Sequence, residues 1–353
     1  MSHKSIRDRF RDGIVRLTNG PSRVLHHELP RSVSARSATG DSQPLPPAES
    51  ALRRSPVDAP SVPIQPRPCK DSRNPILTGA DVSDFGAADY VADPFLCPTA
   101  DRWHLFFEVF NRRRTPTAAI GHSSSADGQK WTSGEIVLER GAHLSFPYVF
   151  EYDGEHYMLP DQQRDSDDAR VTLFRATDFP KAWEPVSTIV SPPRRTSDHV
   201  VFKWNDRWWC FVGHEPSGSL YCYHNDSLEA DHWTPHAGNP VVSDRIEAAR
   251  PGGRPLVTSE GILLFYQDCE NGYGQCVRAG FVSELSPDSF VESLVQEDPV
   301  LAGNGLVGWS SGRMHHIDPW WTGDGFVCAA DGDIALGRGT WASAQWSVGL
   351  YRF

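Results

Sequence analysis

Three carboxylates stand beside runs of strand-forming residues: Asp93 in "VADPFLCPTADRWHLFFE", Asp161 in "HYMLPDQQ" and Asp198 in "DHVVFKWNDRWWCFVG". Carboxyl groups in differing environments can divide the work of a general acid and a general base, so Asp93, Asp198 and Asp161 are the candidate catalytic residues. A second set could hold a polar ligand. Glu108 closes the run that Asp93 opens, Arg250 is suited to a carboxylate or phosphate, and Gln267 and Asp268 could bond ligand hydroxyls. His316 completes this candidate substrate-binding group. Each residue also has a plain structural reading. An Asp before proline punctuates a turn, Asp161 sits in a solvated loop, Asp198 caps a turn, and Arg250 pairs with Asp198 or Asp93. Gln267 and Asp268 shape a strand end. His315 or His316 could hold a metal ion on an axis, but a histidine pair without a carboxylate cluster is equally a hydrogen-bonded pair, so neither a metal nor another cofactor is expected. "DGDIALG", Asp331 to Gly337, lacks the rest of an EF-hand and is set aside.

The residues are brought together by a repeat. "DPFLCPTADRWHLFFE" at Asp93 is matched by "FPYVFEYDGEHYMLPD" at Phe146, "DHVVFKWNDRWWCFVG" at Asp198, "RPGGRPLVTSEGILLFYQD" at Arg250 and "HHIDPWWTGDGFVCAADGD" at His315, with starts 53, 52, 52 and 65 apart. Each is two runs of β-formers around a turn such as Asp153-Gly154, Asn205-Asp206 or Asp324-Gly325, the pattern of an antiparallel hairpin. Between the hairpins "SSSADGQKW", "RATDFPKAW" and "NDSLEADHW" end at Trp131, Trp183 and Trp233, with Phe290 at the next equivalent place. These aromatics read as wedges between sheets. The repeat predicts an all-β fold, a five-bladed β-propeller of four-stranded antiparallel blades, whose inner strands converge on a central funnel. "TWASAQWSVGLYRF" supplies the fifth blade's outer strands, and a strand from Asn74 to Val82 closes the ring.

The chain has 353 residues, 45 acidic against 34 basic, with arginine far exceeding lysine. That balance opposes non-specific nucleic-acid binding and hints at a high-salt interior, or only at ordinary acidity. Residues 1–70 carry 12 basic and 6 acidic side chains and include "ATGDSQPLPPAES" and "SPVDAPSVPIQPRP". The expected organisation is therefore a disordered basic tail over 1–70, with a short helix over Ile6 to Leu17, and the propeller over 71–353. Seven cysteines without a C-x-x-C pair suggest buried thiols. With no run suited to a membrane span and no secretory signal, the expected location is cytoplasmic.

"ADPFL", "SSSADGQKW" and "HLSFPYVFEYDGEHYMLPD" resemble the five-bladed propellers of family 43 and family 32 glycoside hydrolases. More closely, "VADPFL", the Ser-aromatic-Pro start of the second unit, the Trp-Trp third unit and Gln267-Asp268 followed by Tyr273-Gly274 are similar to the N-terminal propeller domain of the glucosamine inositolphosphorylceramide transferase family, over roughly residues 74–335. The hydrolase resemblance implies a base at Asp93, a second carboxylate where Phe146 stands, and an acid at Ser197 beside Asp198, so two of three positions are not acidic. The resemblance thus implies a carbohydrate-active propeller that binds a glycan or glycoconjugate in its funnel and could hydrolyse or transfer it. The alternative is a non-catalytic glycan-binding or scaffold module working with a separately encoded glycosyltransferase.

Overall fold

The computed structural model describes residues 57, 60–69, 72–163, 170–192, 194–334 and 344–353, all within the compact unit Ser42–Phe353. Five antiparallel sheets follow one another along the chain. Blade one runs from the axis outward as Tyr90–Pro98, Trp103–Phe110, Ala118–Ser125 and Glu135–Leu138. Blade two is His143–Tyr152, Glu155–Gln163, Val171–Asp178 and Ala182–Val190, and blade three Ser197–Trp204, Arg207–His214, Ser219–Asn225 and Thr234–Pro235. In blade four Arg250–Pro251 and Leu256–Val257 share the inner position beside Ile262–Asp268, followed by Cys276–Leu285 and Phe290–Leu294. Blade five consists of Ile317–Trp321, Phe326–Gly332 and Ser347–Arg352.

Its fourth strand comes from the other end of the chain. Arg67–Pro68 pairs with Ser347–Arg352, and Leu77 bridges to Val348 further along the same edge. The N-terminal segment thus becomes the outer edge of the last blade, a two-residue strand that carries a proline, which blunts the edge. Part of the stretch expected as tail therefore packs on the ring. Ile64 is buried with Leu256, Phe265 and Tyr351, and its backbone N–H donates to Gln296 at 2.8 Å. A proline-rich composition does not prevent this, because an outermost strand needs few ladder bonds and tolerates proline. Most of the expected tail, including the helix over 6–17, lies outside the described residues.

The turns and wedges follow from residue type. Asp153-Gly154 and Asn205-Asp206 adopt positive φ at both positions, the geometry of two-residue hairpin turns. Trp131, Trp183 and Trp233 each donate the indole N–H to the carbonyl three residues earlier, at 3.2, 2.9 and 2.9 Å. That bond satisfies the one polar atom of a ring otherwise used for packing. All seven cysteines are buried thiols. Among the described residues no helix is long and apolar enough to cross a membrane.

Candidate functional site

The inner strands of blades one to three carry the same irregularity. Each has a β-bulge, between Ala92 and Phe95, Ser145 and Tyr148, and Ser197 and His199, and in each the residue entering the bulge is left-handed: Asp93 at φ 51°, Phe146 at 47° and Asp198 at 58°. Non-glycine residues held there cost about 1–3 kcal/mol each, and such positions cluster where a side chain must be aimed. Threefold recurrence makes Asp93, Phe146 and Asp198 structural equivalents. The hairpin repeat that begins at Asp93, Phe146 and Asp198 is thus matched in the backbone, two of the three bulges carry a carboxylate, and Ser197, where the hydrolase resemblance implies an acid, is the residue before the third bulge.

Opposite the bulges, the second strands end in a matching row. Ala92 faces Glu108, Ser145 faces Asp161, Ser197 faces Gly213 and Arg250 faces Gln267. Asp331, ending the second strand of blade five, accepts the backbone N–H groups of His315 and His316. Gly213 breaks the row because a Cβ there would come 2.9 Å from the Arg250 backbone. The space lets Arg250 cross to Asp198, its Nε donating to Oδ2, while Gln267 Nε2 donates to the same oxygen at 2.6 Å.

The cluster is buried and acidic. Burial first, then the charges of Glu108, Asp198 and Asp331, hold the Asp93 carboxyl well above its ordinary pKa, with Arg250 opposing. Asp161 and Asp198 are also raised, chiefly by burial, again against Arg250. For Asp331 burial is outweighed by His315, whose Nδ1 lies 2.7 Å from Oδ2, and its pKa is lowered. Burial lowers the His143 pKa, but Glu108, 3.4 Å away, more than offsets it and the net shift is upward. Two buried acceptors in the row have no hydrogen-bond partner among the described residues, Asp161 Oδ2 and Gln267 Oε1, while Glu108 Oε1 has the long 3.4 Å contact to His143.

Asp93, Asp161, Asp198, Glu108, Arg250 and Gln267 thus come together. Asp268 does not. Adjacent strand residues face opposite ways, and its carboxylate is taken by Arg278 at 2.8 Å and by the backbone N–H of Glu270 at 3.0 Å. His316 lies beneath the cluster, edge-on to Phe95 and Phe146, and burial lowers its pKa to about 3. His315, named from the sequence only as a possible metal ligand, joins the site together with Trp346 and Tyr273, which were not selected. It stacks on Trp346 at 4.2 Å and meets Tyr273 at 5.2 Å, while Tyr273 also packs against the Arg250 guanidinium at 5.0 Å. Further down the axis Arg254 pairs with Asp318 at 2.6 Å, donates to the carbonyls of Leu96 and Val149, and packs on Phe95, Tyr148 and Trp320. This closes the channel below the acids.

Asp93, His315 and Asp331 approach closely enough to suggest a cation site, with one ligand atom from each within 4.8 Å of the others. The donor set fits poorly. Both Asp331 oxygens already receive hydrogen bonds, Oδ1 from His315 and His316 and Oδ2 from Asp93, so the unspent pair is His315 Nε2 and Asp93 Oδ1, 3.9 Å apart. A calcium ion needs six to eight oxygen ligands. Asp331 serves instead as an anchor, fixing the Asp93 backbone and the His315 ring.

The family described as glucosamine inositolphosphorylceramide transferase 1, N-terminal, matches residues 48–333. The glucosamine inositolphosphorylceramide transferase 1 proteins of Oryza sativa subsp. japonica and Arabidopsis thaliana are 32% and 31% identical over 270 residues, 74% of this chain. The chain spans only 35% and 34% of their lengths. Among solved structures, the catalytic domain of the Coprinopsis cinerea GH62 α-L-arabinofuranosidase is similar over 75% of this chain and 91% of its own, with TM-score 0.58 and 14% identity. The β-1,2-mannobiose phosphorylase of Listeria innocua is similar over 79% and 94%, with TM-score 0.56 and 14% identity. At such identity the likeness is one of fold.

Proposed function

The chain belongs to the family of the glucosamine inositolphosphorylceramide transferase 1 N-terminal domain, and from that premise we propose that its funnel binds a glycan or glycoconjugate. The carrying observation is a pair of unpartnered buried acceptors, Asp161 Oδ2 and Gln267 Oε1, at equivalent strand ends of two blades, with Glu108, held among the described residues by His143 alone, at the same place in a third. A buried acceptor without a donor costs about 1–3 kcal/mol, which a sugar hydroxyl recovers by donating to it. Tyr273, packed against the Arg250 guanidinium, adds a phenol close to Asp93, Asp198 and Glu108. Binding without turnover is the favoured form. Asp198 is engaged by Arg250 and Gln267, and two of the three carboxylate positions that the hydrolase resemblance implies hold Phe146 and Ser197, so no second free carboxylate stands at those positions to divide the acid and base roles with Asp93. The longer relatives are consistent with a module that works beside a glycosyltransferase.

The left-handed carboxylates Asp93 and Asp198 support a second reading, hydrolysis or transfer of a glycosidic bond, in which Asp93 with its raised pKa serves as the acid and not as the expected base. A glycan array and a hydrolysis screen on the same protein and its Asp93→Asn variant separate the two. Under the binding reading the variant loses about 1–3 kcal/mol of affinity and neither protein turns over substrate. Under the catalytic reading turnover falls by roughly 10²- to 10⁴-fold with binding retained. Wild-type protein that neither binds nor cleaves any glycan would sink both.

A further inference from the structure

A second cavity lies at the opposite ends of the blade strands. It occupies about 470 Å³ where the first hairpin turn of blade one meets the outer turn of blade two, and its walls include Arg102, His104, His122, Ser124, Phe179 and Lys181. Six residues of extended strand separate Thr99 at this end from Asp93 in the funnel, roughly 20 Å. The two sites are therefore distinct.

A relay of hydrogen bonds runs into the cavity wall. Thr99 Oγ1 donates to Asp101 at 2.9 Å, lies 3.4 Å from His104 Nε2, and His104 Nδ1 lies 2.9 Å from His122 Nε2. The carboxylate can only accept, so the threonine proton goes to Asp101, His104 donates from Nε2, and His122 donates from Nε2 to His104 Nδ1. That direction leaves His122 Nδ1 as a lone-pair acceptor with no partner among the described residues, on a side chain more than nine-tenths buried. Burial lowers the His122 pKa to about 3 and the His104 pKa to about 4, so both rings are neutral at physiological pH. The remaining lining is balanced in charge. Asp101 and Glu135 would repel an anion, Arg102 and Lys181 a cation, whereas a neutral ligand with many hydroxyls can donate to the first pair and accept from the second. Phe179, backed by His156 at a ring distance of 3.7 Å, adds a flat apolar wall.

We propose that this cleft is a second binding site, for a neutral hydroxyl-rich ligand of sugar-ring size that donates a hydroxyl proton to His122 Nδ1. The test uses the full chain labelled with ¹⁵N-histidine, observing imidazole nitrogens during titration with glucose, mannose, galactose and N-acetylglucosamine to about 50 mM, a range suited to millimolar dissociation constants. Inorganic phosphate and putrescine are the charged controls. At least one sugar should move the His122 Nδ1 resonance. His122→Phe should weaken sugar binding at least about tenfold, and so should Ser133→Trp, a change at an exposed rim residue that fills the cavity without disturbing its wall. Failure of every sugar to move His122 Nδ1, a response to phosphate or putrescine in preference, or a sugar response surviving Ser133→Trp would each overturn the assignment.

Discussion

Removing Arg250 from the funnel exposes the electrostatics of the acid cluster. The Asp198 side chain is 2% accessible and Arg250 9%, and the two are joined through Nε and Oδ2 with Gln267 on the same oxygen. Arg250→Met keeps much of the apolar stem but leaves a buried carboxylate with Gln267 alone. Breaking a buried pair from one side costs roughly 3–5 kcal/mol, which for a ring of this size lowers Tm by roughly 5–8 °C. The deficit has a pH signature. Losing Arg250 removes the influence that opposes burial at Asp198, so its folded pKa, already raised, rises further. A carboxyl with a raised folded pKa binds more protons folded than unfolded, so stability falls as pH rises through the interval above the unfolded value. The deficit should therefore be larger at pH 8 than at pH 5. Arg250→Met with Asp198→Asn removes both charges and should regain more than half of the loss, because replacing a whole buried pair is far cheaper than halving it. Urea unfolding of the two variants and the wild type at both pH values checks this. A single variant within about 1 kcal/mol of wild type, or no recovery in the double variant, would refute the reasoning.

Other consequences are open to simpler measurements. Ile64→Ala should cost about 2–5 kcal/mol in thermal or chemical unfolding, because the side chain fills the core shared by blades four and five; a neutral result would return residues 60–69 to the tail. The lowered pKa values of His122, about 3, His199, about 4, and His316, about 3, keep these rings neutral in the fold. A histidine with a depressed folded pKa stabilises the fold above its unfolded value, near 6.5, and the stability is lost as pH falls. Their share of the unfolding free energy should decline from pH 6.5 towards pH 4, each by up to about 1.4 kcal/mol per pH unit, against the opposite slope of the raised Asp93, Asp161 and Asp198 carboxyls. NMR titration of the imidazoles reads the rings directly, and any of the three titrating near 6.5 in the folded protein would contradict its burial. Gly213→Ala should destabilise by more than about 1 kcal/mol because its Cβ meets the Arg250 backbone, whereas Gly141→Ala, with open space around it, should not.

The propeller was legible in the sequence because two landmarks, the hairpin and the tryptophan turn, keep one period through blades one to three. Asp93, Asp161, Arg250 and Gln267 were legible for the same reason, since a residue at a strand start in one unit marks the axis in the others. Side-chain direction was less legible. Gln267 and Asp268 stand together in the sequence, although strand alternation turns one away from the other. Asp331 was set aside with its local "DGD" context, yet its partners include the backbone of Asp93, 238 positions away. The Arg254–Asp318 pair was equally hidden, since the two residues stand at different places in their repeat units and meet only when blade five packs on blade four.

The most direct test of the funnel as a glycan site is isothermal titration of a glycan selected on the array against wild type, Asp161→Ala and Ser133→Trp. Asp161 offers an unpartnered oxygen to the funnel, while Ser133 lies at the distant cleft. The account predicts that Asp161→Ala weakens binding by about 1–3 kcal/mol, roughly 5- to 150-fold in Kd, and that Ser133→Trp leaves the funnel affinity unchanged. Equal affinity for wild type and Asp161→Ala, with that binding abolished by Ser133→Trp, would contradict it.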